Sequence, residues 1–184
     1  MTLHHLLKLV VIGAMAVPAT GMAKEQTACQ LLSAEDAASL TGAPLPQPFK
    51  SEEKAAMHNG HDHKTACGWF PKGFDLATTQ VPPDRGVLLT VHRLRTSEEA
   101  RTFHAMSTEM IQDGAKTNPA LGTFADVAGV GEKALLGQKQ LDGVKMATVR
   151  FLKGTVAGQV QVWRKDGPAG DTATAAAKRV AARL

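Results

Sequence analysis

Two strand-like runs, Val144 to Leu152 and Thr155 to Trp163, lie on either side of Lys153-Gly154, and Asp142-Gly143 opens the first of them. Each dipeptide carries the glycine that a tight turn favours, so the two runs are predicted to pair as an antiparallel hairpin. In the second run Val156, Val160 and Val162 share one face, while Thr155, Gln159 and Gln161 share the other. That is the alternation of a strand packed on one side and wet on the other. A fold for this chain therefore needs something apolar to lie on the valine face. After Gly170 and a capping Asp171, residues Ala173, Ala176, Ala177, Val180, Ala181 and Leu184 recur at helical spacing and supply it. Lys178, Arg179 and Arg183 near the end of that helix suit the negative pole of its dipole.

Upstream, Gly86 to Leu94 reads as a central strand, with apolar residues on both faces, and Thr65 to Phe70 as another. Ser33 caps a short helix from about Ala34 to Leu40 that should end at Gly42. Thr96-Ser97-Glu98-Glu99 opens a second helix, with Ala100, Phe103, Ser107, Met110 and Ile111 along one side, expected to stop at Gly114. Ala115 to Gly131 is loop-like, and Glu132 to Leu136 reads as a short strand. Residues 43–64, with Pro44, Pro46, Pro48 and a long polar run, show no period that would bury a face and are expected to form an exposed Pro/His-rich loop. The order of elements predicts an α+β fold, a largely antiparallel sheet covered by helices.

The N-terminus reads as a secretory signal peptide. A weakly basic start through Lys8 precedes the apolar run Leu9 to Val17, and small residues end it at Gly21-Met22-Ala23. The apolar run is too short to cross a bilayer, which takes about 20 residues, so cleavage after Ala23 is expected. What remains, residues 24–184, suits one domain. Cleavage removes a single charged residue, Lys8, from a chain of net charge +4, and the remaining Lys and Arg are scattered. So slight and so mixed a charge argues against nucleic acid and against an anionic membrane surface, and no later segment is apolar enough to span a bilayer.

Cys29 and Cys67 both fall in the exported part, where an even count reads as one disulfide. Closing a loop of that size stabilises a fold by about 4 kcal/mol on the chain-entropy estimate. The alternative is a pair of free metal-binding or redox thiols, which the lack of a C-x-x-C spacing disfavours. A lipid-modified Cys29 is disfavoured too, since Glu25-Gln26-Thr27-Ala28 is not the Leu-led small-residue pattern that such a site requires.

Four stretches carry a family resemblance: Ala28-Cys29-Gln30-Leu31-Leu32-Ser33 through Thr41-Gly42, Cys67-Gly68-Trp69, Val127 to Ala134 (Val-Ala-Gly-Val-Gly-Glu-Lys-Ala), and the ending Val180-Ala181-Ala182-Arg183-Leu184. On these the chain resembles the actinobacterial secreted lipoproteins of unknown function whose fold is similar to PsbP, the extrinsic photosystem subunit. The resemblance implies a PsbP-like two- or three-layer sandwich, a Cys29–Cys67 pair and an exported location. It implies no reaction. The lipid-attachment cysteine of such proteins is missing here.

For chemistry, the densest feature is Met57-His58-Asn59-Gly60-His61-Asp62-His63. His58, His61 and His63 are candidate ligands for zinc, copper or nickel, with Gly60 letting the loop fold back on one ion. The competing reading is a solvated polar loop. His92, in a strand, and His104, on a helix flank, read as packed or surface residues rather than catalysts. No G-x-S-x-G, H-E-x-x-H or Walker pattern is present, and Gly129-Val130-Gly131 reads as a tight turn. Trp163 falls opposite the valine face and is a candidate partner contact. The expectation is a non-enzymatic periplasmic or secreted module that docks an unknown protein or small-molecule ligand on a sheet face or its loops. The alternative is a periplasmic metal-binding protein using the histidine loop.

Overall fold

A computed structural model of the chain describes residues 26–55, 62–79 and 81–184. The expected signal peptide, residues 1–23, lies outside the described residues, as do His58 and His61. Helices α1 (Ala28–Leu31) and α2 (Ala34–Thr41) precede strands β1 (Gln47–Ala55), β2 (Asp62–Phe70) and β3 (Arg85–Arg93). Helix α3 (Ser97–Thr117) and a 3-10 turn (Pro119–Leu121) follow, then β4 (Thr123–Asp126), β5 (Lys133–Leu141), β6 (Val144–Lys153), β7 (Val156–Arg164) and α4 (Ala169–Arg183). The seven strands form one sheet in the order β1-β2-β3-β7-β6-β5-β4, every neighbouring pair antiparallel. The fold is α+β, and the sheet is open rather than closed into a barrel.

The hairpin predicted from Asp142 to Trp163 is β6–β7, with Val149 opposite Val160. Its two turn residues are Gly154 and Thr155, one place later than read from the sequence, and Gly154 takes a φ of +58°. The valine face is the main core. Val149, Phe151, Val160 and Val162, with Val87, Leu89 and Val91 of β3, meet Ala173, Ala176, Ala177 and Val180 of α4. Small alanines let α4 lie close to the sheet. Phe151 fills the remaining space over Gly158, its register partner, where an added Cβ would run into the ring.

Helices α1 and α2 complete the same layer, and the Cys29–Cys67 disulfide fastens α1 to β2. Ser33 caps α2: its Oγ accepts from the Asp36 N–H, and the Asp36 carboxylate accepts from the Ser33 N–H, at 3.1 and 3.0 Å. The helix stops at Gly42, φ +75°, as its sequence implies.

Three expectations need correction. Within the segment 43–64, residues 47–55 and 62–64 are strand rather than loop: β1 pairs with β2 from Gln47 opposite Phe70 to Ala55 opposite Asp62. An edge strand buries little and tolerates Pro48 and a polar run, so it leaves no hydrophobic period to read. Helix α3 passes through Gly114 and ends at Asn118, whose Oδ1 accepts from the Ala120 N–H as Pro119 starts the 3-10 turn. One helical glycine costs about 1 kcal/mol, too little to end a 21-residue helix without a stop behind it. The third concerns Trp163, which is buried. It packs on Phe70 with ring centroids 5.7 Å apart, in a cluster with Val144, Phe49, Phe74, Leu88 and Met146, and presents no surface to a partner. This cluster sits on the sheet face opposite α4.

Candidate functional site

The face of the sheet opposite α4 carries the polar members of the central strands. Register places Thr90, Gln159 and Arg150 in one row across β3, β7 and β6. Lys64, His92 and Ala157 form the next row, across β2, β3 and β7. Read from β7 alone, this face was expected to meet water. In the structure α3 lies across it, and of that helix's residues only Ala100, His104 and Thr108 are buried. Between helix and sheet is a cavity of about 280 Å3, lined by Lys64, Thr90, His92, Phe103, His104, Ser107, Arg150, Ala157, Gly158 and Gln159.

The charges in this cavity are unbalanced. Arg150 is half-buried, its charged form disfavoured by desolvation, and among the described residues no carboxylate pairs with it. Lys64 reaches outward to Glu53, 3.1 Å away on β1. His104 is 6 % exposed, and its Nε2 is a buried side-chain atom without a hydrogen-bond partner among the described residues. Burial lowers the pKa of that imidazole. The backbone of Arg150 opposes the shift, while the charges of Lys133 and Arg150 add to it. His92 stacks on Phe103 with ring centroids 4.7 Å apart, which gives the cavity an aromatic wall. The site thus offers guanidinium, ammonium, hydroxyl and amide donors around a small space. Two hydroxyls of α3 are already engaged, Ser107 and Thr108 each donating to the His104 carbonyl at 2.9 Å.

Of the residues singled out for metal binding, His63 alone lies among the described residues. His63 belongs to β2, not to a loop, and its Nε2 lies 2.9 Å from Glu52 Oε1 on the α4 side of the sheet. Among the described residues no group of three His, Cys, Asp or Glu is placed to hold an ion. Gly129-Val130-Gly131 forms a turn, with both glycines at positive φ and Val130 buried.

The sequence pattern marks Gln159 only as one residue of a wet strand face and gives Arg150 no role. The signal was present in three runs: Thr90/His92, Thr148/Arg150 and Gln159/Gln161 are polar at alternate positions of otherwise apolar strands. Only the strand order shows that they are neighbours.

No family model matches the chain, and comparison with curated proteins by sequence found no match. Among solved structures the chain is similar to the extracellular domain of PknH from Mycobacterium tuberculosis, with a TM-score of 0.54 and 11 % identity, covering 83 % of this chain and 92 % of that one. At that identity the likeness shows the fold alone. The two chains share an α+β architecture over most of their lengths.

Proposed function

We propose that this protein is an exported, non-enzymatic binding module that holds a small ligand between α3 and the polar face of its sheet. The observation that carries this reading is the cavity beneath α3, where half-buried Arg150 and the Nε2 of His104 have no protein partner among the described residues. Buried polar groups in folded proteins nearly always find partners, and a bound ligand supplies them here. The disulfide suits an oxidising compartment outside the cytoplasm. The structural neighbour is itself described as an extracellular domain, in its case of PknH.

Backbone amide mapping by NMR against a mixed set of small neutral, cationic and anionic compounds tests the reading. Shifts confined to Thr90, His92, Ser107, Arg150 and Gln159 support it. A set that leaves these amides unmoved, or shifts only residues elsewhere, refutes it.

A further inference from the structure

The cavity beneath α3 is built for one class of ligand. We propose that it binds a small oxyanion, a carboxylate or phosphate group on a compact organic body, with Arg150 as the anchoring residue. This rests on the reading of the cavity as a binding site and adds the chemistry of what enters it.

The argument begins with charge. Of the cavity-lining side chains, Arg150 and Lys64 are cationic, His92 and His104 are imidazoles, and none is a carboxylate. Glu53 on β1 pairs with Lys64, and among the described residues no ion pair reaches Arg150. A guanidinium away from water is costly unless something accepts its hydrogen bonds, and its planar fork matches two oxygens of one carboxylate or phosphate. A cationic ligand meets repulsion from both basic residues. A neutral one leaves the half-buried Arg150 charge uncompensated.

Neutral donors then complete the shell. Thr90 offers a hydroxyl from β3 and Gln159 an amide from β7, while the Ser107 hydroxyl of α3 is already donated to the His104 carbonyl. The unpartnered Nε2 of His104 is a further polar contact, and it can donate to an anion oxygen as the N–H tautomer. The stacked rings of Phe103 and His92 provide an apolar side suited to a short carbon skeleton. Size sets the limit. At about 280 Å3 the cavity falls at the lower edge of the roughly 300–1,000 Å3 range of small-molecule sites, so the body is a few heavy atoms rather than a nucleotide or a lipid.

Calorimetric titration of the purified, disulfide-closed protein with sodium phosphate, succinate, succinamide and 1,4-diaminobutane, with amide mapping of each complex, tests the proposal. Phosphate or succinate should bind and shift the amides of Thr90, Ser107, Arg150 and Gln159, while the diamide and the diamine do not. Arg150→Gln should weaken that binding at least about tenfold, as expected for losing hydrogen bonds to a charged group. Should Arg150→Gln fail to fold, Gln159→Leu is the second variant. It is expected to weaken binding less and to remove the shift at its own position. Binding of succinamide or the diamine in the cavity, with no effect of the anions, overturns the oxyanion class and leaves the cavity reading standing. Anion binding that is unchanged in the folded variants, or no shift at these amides with any probe, overturns the proposal.

Discussion

Replacing Asp36 with Asn should weaken the fold by about 2 kcal/mol at neutral pH and by progressively less in acid. Asp36 sits in the first turn of α2 and reaches across to α4. Its Oδ1 accepts from Arg179 Nη1 at 2.9 Å, and its Oδ2 accepts from Arg183 Nη1 at 2.5 Å and from the Ser33 N–H at 3.0 Å. The carboxylate is 12 % exposed, while the two arginines are 37 % and 40 % exposed. Breaking a fully buried pair costs about 3–5 kcal/mol and a surface pair about 0–1, so this half-screened network falls between, at about 2 kcal/mol. The hydrogen bond from Arg183, against some opposition from burial, holds the Asp36 carboxyl well below its usual 3.8, with the Ser33 backbone, the Arg183 charge and Arg179 contributing. A carboxyl whose folded pKa is depressed stabilises the fold above its unfolded pKa, and that contribution is lost as pH falls toward the folded value. Urea unfolding of both proteins at pH 7 and at pH 3 measures the gap at each. A gap below about 0.5 kcal/mol at pH 7, or one that does not narrow in acid, would refute the assignment of Asp36 as the tie between α2 and α4.

Three other outcomes are expected. His104 resists protonation when folded, so below an unfolded pKa near 6.5 the unfolded chain takes up the proton first; stability should drop as the pH is lowered there, by up to about 1.4 kcal/mol per unit. His104→Leu should flatten that slope in urea midpoints between pH 7 and pH 5, and an unchanged slope would assign it to another group. The double variant Cys29→Ser with Cys67→Ser should lose about 4 kcal/mol in reversible denaturation, the loop-closure contribution of the bridge. Gly158→Ala should cost about 1–3 kcal/mol by thermal unfolding, because the new methyl meets the Phe151 ring; adding Phe151→Leu should recover part of the loss, and no recovery would place the strain elsewhere.

Much of this architecture was legible before any coordinates, wherever one element carries its own pattern. The β6–β7 hairpin, the Ser33 cap, the Gly42 stop and the alanine face of α4 each declare themselves within a few residues. What failed to show was whatever depends on a neighbour. β1 looked like a loop because an edge strand need not bury either face, and its identity comes from pairing with β2. Trp163 looked available because the aromatic cluster around it draws on β1, β2, β3 and β6, and Phe74 from the loop after β2. Asp36 was readable as a first-turn acid but not as the partner of Arg179 and Arg183 at the other end of the chain. The cavity is the extreme case: Lys64, His92, Arg150 and Gln159 come from four strands, and α3 covers a face that one strand alone presents as solvent-facing.

The strand order also sets a schedule for folding. β3 has β2 on one side and β7 on the other, with Val87 opposite Val162, so the middle of the sheet stays open until residues 156–164 exist. The core on those valines is then sealed by α4, which follows still later. Such long-range pairing makes folding slow, since the chain must close large loops before the contacts repay it. During synthesis the first half of the chain cannot complete the sheet, because β5, β6 and β7 are still to come. For a protein that crosses a membrane as an unfolded chain, this topology would delay folding until the crossing is nearly done.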